Sequence, residues 1–212
     1  STLPAGFDVS KASEWTNGTV EGNILTVEDI TKEVTYTYNC GNGHSKTFTL
    51  VPQIEEEITS VEINETNFPD ENFREYVKEN FDKDDNGVLS AEEIAAVTTI
   101  EVYSKGISDL TGIEYFTSLE TLWCYDNKLT AIDVSNNTAL TGLFCDFNQL
   151  TSIDVSKNTA LFSFTCEGNQ LTSLDLSNNP TLRSLYCLNN QLTSLDLSNN
   201  TNLGYLYCGK NQ

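Results

Sequence analysis

The run Asp82-Lys83-Asp84-Asp85-Asn86-Gly87-Val88-Leu89-Ser90-Ala91-Glu92-Glu93 carries the sharpest chemistry in the chain. Oxygen donors stand at alternate places: Asp82, Asp84 and Asn86 at positions 1, 3 and 5 of a twelve-residue loop. Gly87 sits at position 6, where a sharp turn needs a residue without a Cβ. Val88 offers its carbonyl at position 7, Ser90 acts at position 9, directly or through water, and Glu93 is the bidentate carboxylate at position 12. Hard oxygen donors in this order make an EF-hand loop, and the expected ion is Ca2+. The flanks fit: Asp70 can cap a helix running to about Asn80 with Phe73 and Val77 on one face, and Ala91–Val97 reads as a second short helix.

Cysteine is the second candidate chemistry. Cys124, Cys145, Cys166, Cys187 and Cys208 recur every 21 residues, and Cys40 stands apart. Neighbouring parallel strands place equivalent residues ~4.8 Å apart with side chains pointing the same way, which is poor disulfide geometry. Zinc sites favour short Cys-x-x-Cys spacing, which this column lacks. The expectation is a column of buried free thiols acting as small hydrophobes, with Cys40 buried and inert as well. His44, the sole histidine, falls in a turn and has no nucleophile to serve. With no Gly-rich phosphate loop either, the chain reads as a binding protein and not an enzyme.

The elements that position these groups follow from the period. The copy LETLWCYDNKLTAIDVSNNTA begins at Leu119, and further copies begin at Leu140, Leu161, Leu182 and Leu203. This is the leucine-rich pattern with Cys in the third Leu place. A degenerate earlier copy runs through Val97, Ile100, Val102, Lys105 and Ile107, with Lys105 where the others have Asn. Each copy makes one strand and a return segment, and only stacking buries its apolar face. Leu122 and Cys124 turn inward, and Leu129, Ile132 and Val134 of the return segment join them. Asn127, Asn148, Asn169, Asn190 and Asn211 can satisfy backbone groups at the strand exits. Asp133, Asp154, Asp175 and Asp196 form a convex column that splays into water, accepts nearby hydrogen bonds or gathers cations.

Outward strand positions form columns on the concave face. The middle column is Glu101, Trp123, Phe144, Thr165, Tyr186 and Tyr207; one neighbour is Tyr103, Tyr125, Asp146, Glu167, Leu188 and Gly209; the other is mostly small, then Tyr205. Outward aromatics serve either strand propensity or recognition. The candidate partner-binding residues are Tyr103, Trp123, Tyr125, Phe144, Asp146, Glu167, Tyr186, Tyr205 and Tyr207. A protein would use the aromatics as anchors and set basic groups against the acids, whereas a glycan would stack on Trp123 and the tyrosines. A structural spacer, or self-association through an uncapped edge at the last strand, is the alternative without a specific ligand.

A formal net charge of −20, from 31 acidic against 11 basic residues, opposes binding to nucleic-acid phosphates and anionic membranes. No apolar run approaches the ~18 residues of a membrane span. Over residues 1–58 the texture changes. Asn23–Val27, Val34–Tyr38 and Lys46–Val51 alternate as strands do, and Cys40-Gly-Asn-Gly-His44 reads as a tight hairpin connection. Pro52–Glu57 reads as a linker. The whole is an α+β, mainly β chain: a small immunoglobulin-like β module (1–58), a helical EF-hand-like cap (59–97) and a leucine-rich-repeat solenoid with a parallel sheet of about six strands (98–212).

Taken together, Phe68–Gln212 resembles the bacterial leucine-rich-repeat surface proteins of the internalin-like class, which also begin with a helical EF-hand-like cap. Two departures stand out: a 21-residue repeat carrying Cys in place of the common 22-residue form, and a calcium loop that is complete. The resemblance implies a secreted or surface-attached protein that binds another macromolecule. The cap would close the solenoid's open front end, with the ion in a structural role.

Overall fold

Three residues make each strand of the solenoid. They are β8 (Thr99–Glu101), β9 (Thr121–Trp123), β10 (Gly142–Phe144), β11 (Ser163–Thr165), β12 (Ser184–Tyr186) and β13 (Tyr205–Tyr207), following β1–β7 introduced below. They form one six-stranded sheet, all neighbours parallel and in the order of the sequence. The register is exact in the repeat: Ile100, Leu122, Leu143, Phe164, Leu185 and Leu206 form one rung. All of that rung except Leu206 is buried. The computed structural model describes residues 8–21, 24–28, 32–50 and 60–212.

Cys124, Cys145, Cys166 and Cys187 are fully buried on the inner side, as the alternation requires. Cys208 departs from the expectation and is exposed, because β13 is the edge strand and no described strand stacks on it. The asparagine column is a continuous brace. Asn148 Nδ2 donates to the carbonyls of Cys124 (3.0 Å) and Cys145 (3.1 Å), while its Oδ1 accepts from Leu129 N (3.0 Å). Asn169 repeats this with Cys145, Cys166 and Leu150. One side chain therefore ties two turns together using both ends of its amide. Lys105 occupies this place in the first turn, where no earlier repeat needs bracing, and its Nζ lies 5.4 Å from the Tyr76 ring centroid.

A second asparagine column, not singled out from the sequence, lies on the return segments. Asn137, Asn158, Asn179 and Asn200 are all buried. Asn158 Nδ2 donates to Val134 O and Asn137 O, each at 2.9 Å, and Asn179 and Asn200 repeat the pattern. On the convex side, Asp133, Asp154, Asp175 and Asp196 each accept the backbone N–H of the Ser two residues on. Those bonds hold all four carboxyls below the ordinary carboxylate range.

The front of the solenoid is covered by β6 (Ser60–Glu62), α1 (Glu71–Phe81), β7 (Val88–Ser90) and α2 (Ala91–Ala95). Asp70 caps α1 by accepting Phe73 N at 3.1 Å, and it also accepts Ser108 N (2.8 Å) and Ser108 Oγ (2.9 Å) from the first repeat. Burial pushes the Asp70 carboxyl up, but these bonds outweigh it and hold it low. Phe68, Phe73, Val77, Leu89 and Ile94 are continuous with the solenoid core. Phe68 packs against Phe73 and Tyr115, with ring centroids 5.9 and 5.8 Å apart. Gly112 (φ +105°) is required here: a Cβ would come within 2.3 Å of the Phe68 ring and 2.6 Å of Asn67 O.

The amino-terminal unit, Ser1–Glu57, is separate from Ile58–Gln212. β1 (Ala12–Thr16), β4 (Val34–Gly41) and β5 (His44–Leu50) make an antiparallel sheet in the order β1-β4-β5; β2 (Gly18–Glu21) and β3 (Ile24–Val27) make a two-stranded ladder. Five strands are thus described, against the seven of an immunoglobulin constant-type domain. Gly41 pairs with His44 across Asn42-Gly43, whose φ values of 55° and 77° suit a primed hairpin turn. Cys40 is exposed rather than buried, because it lies beyond the inward alternation of β4, next to that turn. The linker expected at Pro52–Glu57 lies outside the described residues.

The brace sets a stability gradient. Asn169→Ala leaves Leu150 N without its partner in a buried setting, at a cost of about 1–3 kcal/mol, while Cys145 O and Cys166 O each lose one of two asparagine donors and keep Asn148 and Asn190. Asn169→Ala should lower unfolding free energy by about 1–3 kcal/mol in urea titration, whereas Asn211→Ala, at the exposed end, should lose under about 1 kcal/mol.

Candidate functional site

Two places bring chemistry-bearing residues together. The first is the loop between α1 and α2. Asp82, Asp84 and Glu93 each direct a carboxylate oxygen to one point, the three lying within 4.8 Å of one another. Asp82 is buried, accepting Asn86 N at 3.1 Å and Gly87 N at 2.9 Å. Asp84 accepts Asn86 Nδ2 at 2.8 Å, and Asn86 Oδ1 accepts Val88 N at 2.7 Å. Positive φ at Asp85 (54°) and Gly87 (81°) gives the chain its tight turns.

Glu93 closes the loop. Its Oε2 accepts Ser90 N and Ser90 Oγ, both at 2.8 Å, and its Oε1 accepts Lys83 N at 2.8 Å. Ser90 N-caps α2 in return through Glu93 N, making a capping box. The Ser90 N–H, then the Lys83 N–H and the Ser90 hydroxyl, hold the Glu93 carboxyl below its ordinary range. Position 12 is therefore ionised and already drawn over the loop. The donor set suits a hard cation: carboxylates at 1, 3 and 12, with Val88 in β7 at position 7.

The second place is the concave face. Trp123 and Phe144 stack with centroids 3.8 Å apart and planes within 6°. Phe144 lies over Gly142, where a Cβ would come within 2.9 Å of the ring, so the glycine makes the flat stack possible. Tyr103 and Tyr125 stack at 4.9 Å, and Trp123 meets Tyr125 edge-on at 6.3 Å. At the other end Tyr186 and Tyr207 stack at 4.6 Å, beside the exposed Tyr205.

Between these platforms lies an acidic island. Thr165 interrupts the aromatic column, and its Oγ1 donates to Asp146 Oδ2. Asp146 Oδ1 accepts Glu167 N at 2.7 Å, and Glu167 Oε1 accepts Asn189 Nδ2 at 2.9 Å. Burial pushes the Asp146 carboxyl up, only partly offset by the Thr165 and Glu167 donors. Thr165 and Asn189 were not singled out from the sequence, although Thr165 is conspicuous as the small residue in an aromatic column. Tyr76 was also missed: its hydroxyl accepts Glu101 N at 3.0 Å, covering a donor on the edge of β8. Only the packing of α1 reveals it.

The nine concave residues thus fall into two aromatic groups and one acidic pair, while the six loop residues share one turn of chain. The cysteine column is chemically quiet. Burial raises the Cys124, Cys145 and Cys166 thiols well above their ordinary range and Cys187 to about 11.

No protein-family model matches the chain. Internalin J of Listeria monocytogenes serotype 4b (strain F2365) is 42% identical over 71 residues, 34% of this chain and 8% of that protein. Among solved structures, the functional domain of InlJ from Listeria monocytogenes, which includes a cysteine ladder, has a TM-score of 0.54 at 30% identity, over 72% of this chain and 43% of that one. Internalin inlF from Listeria monocytogenes strain 4b F2365 has a TM-score of 0.67 at 29% identity, over 71% of this chain and 46% of that one. The repeat array is therefore similar to those of Listeria internalins, and the chain spans only a small part of the length of the Internalin J it matches.

Thiol accessibility checks this arrangement. Under native conditions near pH 8 an alkylating reagent should label two of the six cysteines, Cys40 and Cys208, and all six after unfolding, counted by intact mass. Rapid native labelling of Cys145 or Cys166 would contradict the packed column.

Proposed function

We propose that this chain is an extracellular bacterial binding module that recognises a protein through its concave face, with a structural Ca2+ ion in its cap. The observation that carries the reading is the pairing of outward aromatic platforms with an uncompensated acidic island on a rigid sheet. Trp123, Phe144, Tyr103 and Tyr125 offer large rigid contact areas at low entropic cost, and Tyr186, Tyr205 and Tyr207 do the same at the other end. None of the described ion pairs involves Asp146 or Glu167, so both are available to basic groups on a partner. Binding rather than catalysis suits a face without a nucleophile–base pair. Similarity to internalins supports a secreted or surface setting, and no described helix is long and apolar enough to cross a membrane.

A glycan ligand is the second reading, favoured by the flat Trp123–Phe144 stack, on which a sugar ring could lie. The discriminating experiment is an unbiased pull-down run beside a glycan array, both with Trp123→Ala as control. The protein reading expects a captured protein whose affinity falls roughly 30-fold or more in Trp123→Ala, the ~2 kcal/mol of a hot spot. Sugar binding lost in the same variant, with no captured protein, overturns it. Unchanged melting of the variant keeps the outcome about binding.

For the cap, Asp82, Asp84, Asn86, Ser90, Glu93 and the Val88 carbonyl would hold the ion. The ion would supply the positive charge that draws these oxygens together, stiffening the start of the solenoid. Because Glu93 is already closed over the loop, binding should stabilise rather than remodel. Calcium titrated into metal-stripped protein should give one site per chain, with Kd of about 10⁻⁴–10⁻³ M as in extracellular modules. A hundredfold excess over Kd should add about 2.7 kcal/mol of stability. No heat and no melting shift at millimolar calcium would sink this part.

A further inference from the structure

EF-hand loops ordinarily come in pairs that brace each other, and this chain carries a single such loop sequence. The structure provides a different brace. β6 pairs antiparallel with β7, setting Ser60 opposite Ser90, Val61 opposite Leu89 and Glu62 opposite Val88. Ile63 N continues the ladder by donating to Gly87 O at 2.9 Å. Loop positions 6 to 9 are therefore all held by one short segment that precedes α1.

The ladder's alternation has a chemical consequence. In an antiparallel pair, hydrogen-bonded and non-bonded rungs alternate. Ile63 opposite Gly87 is a bonded rung, so Val61 opposite Leu89 is the next, and Glu62 opposite Val88 lies between them. Val88 must then turn its own N–H and C=O away from β6. Its N–H donates to Asn86 Oδ1 inside the loop at 2.7 Å, which confirms the direction. The Val88 carbonyl, the position-7 donor, is left on the loop side. Val61 is buried in the common core and Ile63 packs against it, so the segment is anchored by its side chains as well.

We propose that Ser60–Ile63 is the surrogate for a second hand: it positions the Val88 carbonyl, so that filling the loop and holding this strand are one linked equilibrium. The inference rests on the calcium reading above. Linkage is reciprocal, so the ion tightens the strand by the factor with which the strand tightens the ion.

The test uses the full chain. Hydrogen exchange in calcium and in chelator should show the amides of Ile63 and Leu89 slowed at least tenfold by calcium, with Cys187 in the fourth repeat unchanged. Ile63→Pro removes the donor to Gly87 O and should weaken calcium at least tenfold by calorimetry, while Ile63→Val, which keeps the N–H, should bind as the parent does. Melting in chelator separates the roles, because a merely structural role would lower the melting temperature of Ile63→Pro and leave its calcium Kd unmoved. If Ile63→Pro fails to fold, the exchange measurement on the parent decides alone. Calcium heat without added protection at Ile63 and Leu89 overturns this proposal and spares the calcium site. No calcium heat in the parent overturns both.

Discussion

A strand of three residues cannot stand without the strands beside it, and every strand of the parallel sheet is that short. The constraint beneath the structure is therefore the satisfaction of backbone groups where each strand ends. The chain leaves the sheet after two or three ladder bonds and turns sharply, often through positive φ, as at Asp126, Phe147 and Asn189. At those corners carbonyls face a dry interior, and an unmet buried group costs about 1–3 kcal/mol. The Asn127–Asn211 column meets them at one corner and Asn137–Asn200 at another, always reaching into the preceding turn. Apolar burial supplies more energy, at roughly 1.5–3 kcal/mol per aliphatic side chain. Burial fixes which side chains turn inward, and the asparagines add a geometric requirement at each corner.

The same constraint explains the front end. The first turn has no earlier turn to brace or to cover it, so the cap performs both tasks. Asp70 serves α1 and Ser108 together, Tyr76 meets the Glu101 N–H on the sheet edge, and Phe68 seals the core beneath Gly112. Burial raises the Tyr76 phenol above its ordinary range. Lys105 replaces asparagine where bracing has no object, so an apparent degeneracy of the repeat reports the solenoid's boundary. At β13, Leu206 and Cys208 are exposed although their equivalents are buried.

What could be read from the sequence depended on whether an identical environment recurred. Leucine, cysteine and the first asparagine column repeat at 21 residues, so strand positions, facing and parallel order followed directly. The second asparagine column repeats equally well, but lies within Ser-Asn-Asn or Ser-Lys-Asn loops that resemble ordinary turns. The Asp82–Glu93 loop was legible because its spacing is local. Its brace was not, because pairing of Ser60–Glu62 with Val88–Ser90 joins segments separated by a helix and carries no sequence periodicity. Cys40 misled for the opposite reason: its residue type suggests burial, and only its place beside the Asn42-Gly43 turn exposes it.

The concave face shows how such a scaffold can specify a site without disturbing itself. Inward positions are held nearly invariant by packing, so outward positions are free to differ from turn to turn. Stacking equivalent residues on adjacent strands brings aromatic rings face to face without any further device, as Trp123–Phe144 and Tyr186–Tyr207 demonstrate. Asp146 and Glu167 stack in one column and repel, and the face offsets this by setting Thr165 beside Asp146 and Asn189 beside Glu167, each neutral partner donating to the acid. Those bonds fix the carboxylates in place while leaving their charge uncompensated. The acids are thus oriented in advance, which on the proposed protein-binding reading lowers the ordering cost of meeting a partner.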